Sequence, residues 1–279
     1  MKMLSVILIL LVLILIPVTA FLGFRHFENK FHADVRENLE RISSVTPGNL
    51  TEQDILHLPA PVKKYLHYTG VVNRARLNSV RIVFVGQMRQ KGKEWFNFRS
   101  EQFNFFDDLA RLFFMKAKMS GITVPGYHKY QDTKASMDIR LFGLFSVVFE
   151  EGEIMDKAET VTLFNDMCLL APATLIDKRI KWEGIDNHHV KAAFTNGGNS
   201  ITATLHFNGE GQLINFVSDD RYAMPDMKNY RFSTPVQEYK NINGINIVSK
   251  GEAVWHYPDG EFTYGVFNLS EVEFNPVLK

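Results

Sequence analysis

"HHVKAAFTNGGNSITATLHF", residues 188–207, decides the fold. With Gly197 and Gly198 at a turn, Phe194 falls opposite Ile201, Ala192 opposite Ala203 and Val190 opposite Leu205. Side chains alternate between faces along a strand, so the apolar residues of both arms share one face in this register. A two-residue glycine turn also suits the backbone of a tight hairpin. The stretch therefore reads as an antiparallel hairpin with one face toward a core.

The same period of two recurs on both sides. From Ser79, Val80, Ile82, Phe84 and Met88 alternate with Arg81, Val83, Val85 and Arg89; "QKGK" then turns the chain into an aromatic strand from Glu94 to Phe106. Further strands are expected at 111–119, 127–133, 136–141 and 145–150. "NGEG" at 208–211 makes another turn, and "PDG" at 258–260 joins a strand ending in Trp255 and Tyr257 to one holding Phe262, Tyr264 and Val266. Sequential hairpins of this kind predict an α+β fold: a large curved antiparallel β-sheet, a half-barrel-like meander, with a few packing helices.

Three short helical signals interrupt the strands. In "LPAPVKKYLHYTG", Leu58 to Gly70, Pro61 suits a first helical position, Gly70 suits the residue after a helix end, and Val62, Tyr65, Leu66 and Thr69 share a face. This helix is expected to cap one end of the core; a lid or a membrane-touching face is the alternative. "TEQD" offers Thr51 as a cap with Asp54 three residues on. A longer helix is expected over Lys157–Leu170, with Asp156 as its cap, Glu159 three residues later, and an end before Pro172. Cys168 lies on the apolar face of that helix and reads as a small core residue.

"MLSVILILLVLILIPVTAFLGF", Met3 to Phe24, carries no charge and as a helix is long enough to cross a hydrocarbon layer of about 30 Å. It is a membrane segment or a signal peptide. Val18 and Ala20 fit cleavage positions, but the apolar run continues to Phe24, which favours an uncleaved transmembrane helix over residues 1–25. Phe27, Phe31, Val35, Leu39 and Ile42 then recur at helical spacing, a stalk within 26–49 that "TPGN" at 46–49 ends, and residues 50–279 form a single domain. A short N-terminal tail holding Lys2 stays inside, which places the domain outside the cytoplasm.

Lys plus Arg and Asp plus Glu balance at 31 each in the 279 residues, without a basic cluster, which argues against nucleic acid. One cysteine excludes an internal disulfide and Cys-pair metal motifs. The 23 phenylalanines imply a wide aromatic interior, either a thick core or a ligand cavity.

His189 faces His206 on the outer side of the hairpin, but no third metal ligand follows at a defined spacing, so the pair reads as solvated. No His-Glu-x-x-His, Gly-x-Ser-x-Gly or phosphate loop is present, so no catalytic residue, metal or cofactor is assigned. The acids at 107–108, 150–153 and 219–220 read as solvated turn flanks. In "YQDTKASMDIR", Arg140 suits either a clamp on a carboxylate or phosphate or a cross-strand ion pair. The long connection "DDRYAMPDMKNYRF", 219–232, offers Arg221, Tyr222 and Met224 as the rim of a pocket or serves as a crossover.

"LPAPVKKYLHYTGV", "YQDTKASM", "CLLAPATLI" and "TPVQEYKNINGINI" with the following aromatic hairpin resemble, in that order, a bacterial membrane-anchored family of unknown function with an L-P-x-P-V-x-x-Y-L element. The resemblance covers about residues 56–275; Val248 stands where a proline is expected, and "TKAS" where a glycine-rich turn is expected. The C-terminal part is similar to the lipoprotein-carrier (LolA/LolB-like) fold, a curved sheet around an apolar cavity. These resemblances imply architecture and no catalytic residue. The leading expectation is a membrane-anchored, extracytoplasmic domain binding a hydrophobic or amphipathic ligand such as a lipid. Tyr65, Phe96, Phe98, Phe113, Trp255 and Tyr264 are its expected contacts, and Arg140 and Arg221 its head-group partners. The rivals are a surface that docks another envelope protein and a hydrolase with an unrecognised site.

Overall fold

The computed structural model describes residues 2–42, 48–223 and 226–278, with the backbone alone for residues 2–4, 6, 8–12 and 14. Met224, Pro225, Thr46 and Pro47 lie outside the described residues. The chain opens with α1 (Lys2–Ile42), α2 (Glu52–Ile55) and α3 (Ala60–Thr69). Six strands follow: β1 (Ser79–Met88), β2 (Phe96–Phe105), β3 (Ala110–Met119), β4 (Ile122–Gln131), β5 (Lys134–Leu141) and β6 (Phe145–Glu151). Helix α4 (Glu153–Leu170) and a 3-10 turn (Pro172–Ile176) lead to β7 (Ile180–Gly184), β8 (His189–Asn196), β9 (Asn199–Phe207) and β10 (Leu213–Ser218). A small pair, β11 (Tyr222–Ala223) and β12 (Lys228–Asn229), precedes β13 (Arg231–Ser233), β14 (Val236–Ile242), β15 (Ile245–Tyr257) and β16 (Gly260–Phe274).

The large sheet runs β6-β5-β4-β3-β2-β1-β16-β15-β13-β10-β9-β8-β7, with β14 beside the first half of β15. All its pairings are antiparallel. The β8–β9 hairpin has the register read from its alternation: Val190 pairs with Leu205, Ala192 with Ala203 and Phe194 with Ile201. All six are buried.

Eight strands separate β4 from β8 in the sheet order, so the two would lie about 40 Å apart in a flat sheet. They touch instead. Asn196 Nδ2 donates to Tyr130 Oη at 2.8 Å, and Asn199 Nδ2 to the Thr133 carbonyl at 3.3 Å. The sheet therefore curls back until its two halves meet at this end.

Helix α4 fills the hollow. Met155, Val161, Leu163, Phe164, Met167, Cys168 and Leu170 are buried around its circumference, as expected of a helix enclosed by its own domain. Phe164 stacks on Phe194 with centroids 5.1 Å apart and meets Phe216 edge-on. The helix starts at Glu153 with Gly152 as cap, four residues before the sequence-based boundary. Asp156 is not its cap: the Asp156 carboxylate accepts from the Ala135 amide at 2.6 Å and from Lys134 Nζ at 2.9 Å. Partners on β5 that are remote in sequence took the side chain.

The Leu58–Gly70 segment closes one end of this core. Val62, Tyr65, Leu66 and Thr69 are buried, and Gly70 ends the helix at φ 73°, a conformation that favours glycine. Pro61 is the second helical residue, after Ala60. The Tyr65 hydroxyl donates to the Cys168 carbonyl at 2.8 Å, satisfying one of the free carbonyls in the last turn of α4. Burial drives the Tyr65 hydroxyl well above its ordinary range, so it stays protonated.

α1 is one continuous helix whose second half is not a free stalk. Phe27, Phe31, Val35 and Leu39 pack on the outer face of β2–β4, against Phe103, Phe105, Leu112, Phe114 and Tyr127. Asp34 fixes the contact by accepting from Tyr127 Oη at 2.8 Å and pairing with Lys129 at 3.0 Å. Among the described residues no helix is long and apolar enough to cross a membrane. Most of the side chains of residues 3–14 lie outside those described.

Tyr65→Phe is expected to destabilise the domain by about 1–2 kcal/mol through the unpaired buried carbonyl, and Tyr65→Ala by about 3–5 kcal/mol through the added cavity. Urea unfolding followed by tryptophan fluorescence reads both as shifts of midpoint at constant slope.

Candidate functional site

Between α4 and the concave side of β1–β4, β15 and β16 lies a cavity of about 150 Å³. Phe84, Met88, Phe113, Leu169, Tyr264 and Phe267 give it apolar walls. Strand alternation turns these side chains inward: Phe84 and Met88 lie on the Val80–Ile82 face of β1, and Gln102 pairs with Phe113 across β2 and β3. Met88, Leu169, Lys250 and Arg221 are partly exposed and mark its open side. Such a volume holds about five waters, or a benzene-sized apolar group.

The floor is charged. Arg111, Glu159 and Asp166 border the cavity at 7 %, 5 % and 8 % exposure. Arg111 donates through Nε to Asp166 at 2.8 Å, through Nη1 to Glu159 at 3.1 Å and through Nη2 to Gln102 Oε1 at 3.2 Å. Gln102 Nε2 donates to Asp166 at 2.7 Å, and Asn104 Nδ2 to the same oxygen at 3.2 Å. Every member is thereby hydrogen-bonded, the condition under which a buried polar network is tolerated. Burial opposes the charge on Glu159, but Arg111 and then His128, whose Nδ1 lies 3.8 Å from Oε1, outweigh it and hold the carboxyl at about 2. Burial also opposes the charge on Arg111, yet Asp166 and Glu159 raise its pKa.

At the rim, Arg221 reaches over three rings. Its guanidinium carbon lies 4.0 Å from the Phe232 centroid, 5.2 Å from that of Trp255 and 5.9 Å from that of Tyr264. Nη1 donates to the Tyr264 hydroxyl at 2.8 Å. Ring faces hold the cation at the mouth, and among the described residues no carboxylate forms an ion pair with it.

Of the residues singled out from sequence, Phe113, Arg221 and Tyr264 line the cavity. Phe98 and Trp255 stand behind its walls, Phe98 against Phe267 at 5.2 Å and Trp255 stacked on Tyr264 at 6.0 Å. Phe96, the first residue of β2, pairs with Met88, the last of β1, and Tyr65 belongs to the closed end of the core. Arg140 lies on the outer face, where Nη2 pairs with Asp138 at 2.8 Å and the guanidinium covers Phe27 of α1 at 4.6 Å. Arg111, Glu159, Asp166 and Gln102 were missed. Their signal was Gln102 and Asn104 on one face of the aromatic strand, and Glu159 and Asp166 seven residues apart on one face of the helix.

A second depression of about 560 Å³ lies over the outer side of β8–β10, bordered by Lys191, Thr202, His206, Asp219, Arg231 and His256. His189 and His206 meet nearby with ring centroids 4.7 Å apart. Among the described residues no three His, Cys, Asp or Glu side chains gather to hold a metal ion. The apolar cavity under α4, with its converging polar groups, is the better-formed site.

The depressed value of Glu159 means that its stabilisation is present above the ordinary carboxylate value of 4.5 and is lost as pH falls toward about 2. Unfolding midpoints measured from pH 7 to 2 are expected to fall across that window. The Glu159→Gln variant, destabilised on the order of 3 kcal/mol at pH 7, is expected to converge with wild type at the acid end.

No curated protein matches the chain. Among solved structures, the chain is similar to a DUF1329 family protein from Desulfovibrio piger ATCC 29098, at 11 % identity and TM-score 0.47 over 79 % of this chain and 94 % of that one. It is similar to a LolA superfamily protein from Nitrosomonas europaea, at 8 % identity and TM-score 0.44 over 78 % and 94 %. A putative outer membrane lipoprotein-sorting protein domain from Vibrio parahaemolyticus aligns at 11 % identity and TM-score 0.39 over 72 % and 86 %. Residues 48–267 match a family of unknown function (DUF6544), and the chain belongs to that family.

Proposed function

We propose that this protein is a membrane-anchored, extracytoplasmic domain that receives an apolar or amphipathic ligand, such as one chain of a lipid, in the cavity under α4. Residues 1–25 serve as the anchor, and the rest of α1, to Ile42, lies on the domain of residues 50–279. The uncharged run from Met3 to Phe24 supports the anchor. The cavity itself carries the reading: apolar walls, a rim cation held on aromatic rings, and a floor whose polar groups already satisfy one another. A ligand therefore gains from apolar contact without having to bridge the buried charges.

The volume of about 150 Å³ takes the end of one chain or a small ring. A whole phospholipid requires α4 to separate from the sheet. Phe113 and Tyr264 contact the apolar part, and Arg221 and Lys250 meet an anionic head at the open side.

Glu159 beside His128 and Arg111 invites the hydrolase reading. A carboxyl held at about 2 is far from the neutral range a general acid or base needs, so the arrangement favours binding over catalysis.

Full-length protein extracted in mild detergent is expected to release an amphiphile in native mass spectrometry. Leu169→Trp, which fills the cavity from its open side, is expected to cut retention more than tenfold, since losing contact with two methylenes costs about 1.6 kcal/mol. No adduct in wild type after incubation with mixed phospholipids and fatty acids, or equal retention in the variant, overturns the reading.

A further inference from the structure

The anchor leads to a second membrane contact. We propose that the end of the sheet formed by residues 119–122 and 141–145 rests on the bilayer beside α1 and dips its apolar side chains among the lipid head groups. This inference rests on the anchor reading above and goes beyond it.

The first observation is contact at the right height. Gly143, at φ 69°, packs on the backbone of Gly23 and Phe24, where a Cβ would sit 2.6 Å from the Gly23 carbonyl oxygen. Phe24 is the last residue of the uncharged run, so the β5–β6 turn touches the helix where it leaves the hydrocarbon.

The second is direction. Moving along α1, Glu28 pairs with Lys116, Asp34 with Tyr127 and Lys129, and Asn38 with Gln131. The helix thus climbs alongside β4 in the same sense. The end of β3, the start of β4, the end of β5 and the start of β6 therefore all lie at the anchor end.

The third is composition. Turn tips are ordinarily polar. At the anchor end Met119, Ile122, Phe142, Leu144 and Phe145 are exposed instead, whereas the opposite turns carry Asp107, Asp108 and Asp132. Edge strand β6 continues the patch with Phe145, Val147 and Phe149, 66 %, 58 % and 54 % exposed. An uncovered apolar edge strand is a liability that soluble domains suppress, and here it follows the turn that touches α1. Arg25 and Lys118 are exposed at the same level, and Lys116 Nζ lies 5.2 Å from the Phe24 ring. Arg25 and Lys118 suit anionic head groups, while Lys116 is already paired with Glu28. The register also places Met88 of the cavity wall at this end, through Met88 opposite Phe96 and Asn97 opposite Lys118.

The test is spin-label accessibility on the full chain in vesicles of phosphatidylcholine and phosphatidylglycerol. Cys168 is fully buried and its thiol is pushed well up by burial, so labels attach at introduced cysteines alone. Ile122→Cys and Phe145→Cys report the sheet end, Leu15→Cys the anchor, and Leu56→Cys an exposed apolar position on the side where β1 begins. The ratio of oxygen to aqueous nickel-complex relaxation is expected to be several-fold higher at 122, 145 and 15 than at 56. A lipid-like ratio at 15 with an aqueous ratio at 122 and 145 overturns this inference and leaves the anchor standing. An aqueous ratio at 15 overturns both. Labels at 122 and 145 immobile and shielded from both reagents would mean that a protein covers the edge, which also overturns it.

Discussion

The pairing of β1 with β16 is the constraint on which the rest depends. One strand opens the sheet region and the other closes it, and they run antiparallel from Val80 opposite Phe274 to Met88 opposite Gly265. Each meander alone would end in an open edge beside its first or last strand, too narrow to enclose a helix. Joined, they form a sheet wide enough for β4 and β8 to meet around α4. The register shifts at Val83/Phe84 and Ala253/Val254 add bend at the seam, as bulges do.

Enclosing α4 has a chemical consequence. A helix buried around its circumference brings polar side chains inside with it, and each must find a partner or forfeit hydration. Glu159 and Asp166 lie two turns apart on α4 and face a strand that carries Arg111. Gln102 and Asn104 take up the remaining donors and acceptors. This network ties the helix to the sheet and leaves apolar walls above it, so the cavity is a by-product of the way the charges are satisfied.

The outer face has a different task. Phe103, Phe105, Leu112 and Phe114 alternate with the inward residues and would be exposed if α1 did not cover them. The same helix that reads as a membrane segment at its start is a packing element at its end. One continuous helix thus carries both the apolar run and the face that covers the sheet.

Much of this was legible from local pattern. The β8–β9 register follows from alternation about a glycine pair, the α3 helix from Pro61, Gly70 and one apolar face, and the buried role of Cys168 from its neighbours. These are short-range consequences of side-chain period and backbone restriction, which adjacent residues carry in full. The site was harder. Phe113, Arg221 and Tyr264 were selected because aromatic and long-loop residues tend to line cavities, while Arg140 was placed in the same group although it faces outward. Glu159 and Asp166 stand 48 and 55 residues from Arg111 in the chain, and their meeting depends on where α4 crosses the sheet. The sequence by itself determined the β8–β9 register, the α3 helix and the apolar N-terminal run, because each is written in the spacing of neighbours. Only the tertiary structure decided which face α1 covers, that β1 meets β16, and which charges share the cavity floor, because those contacts form between segments whose separation no local period encodes.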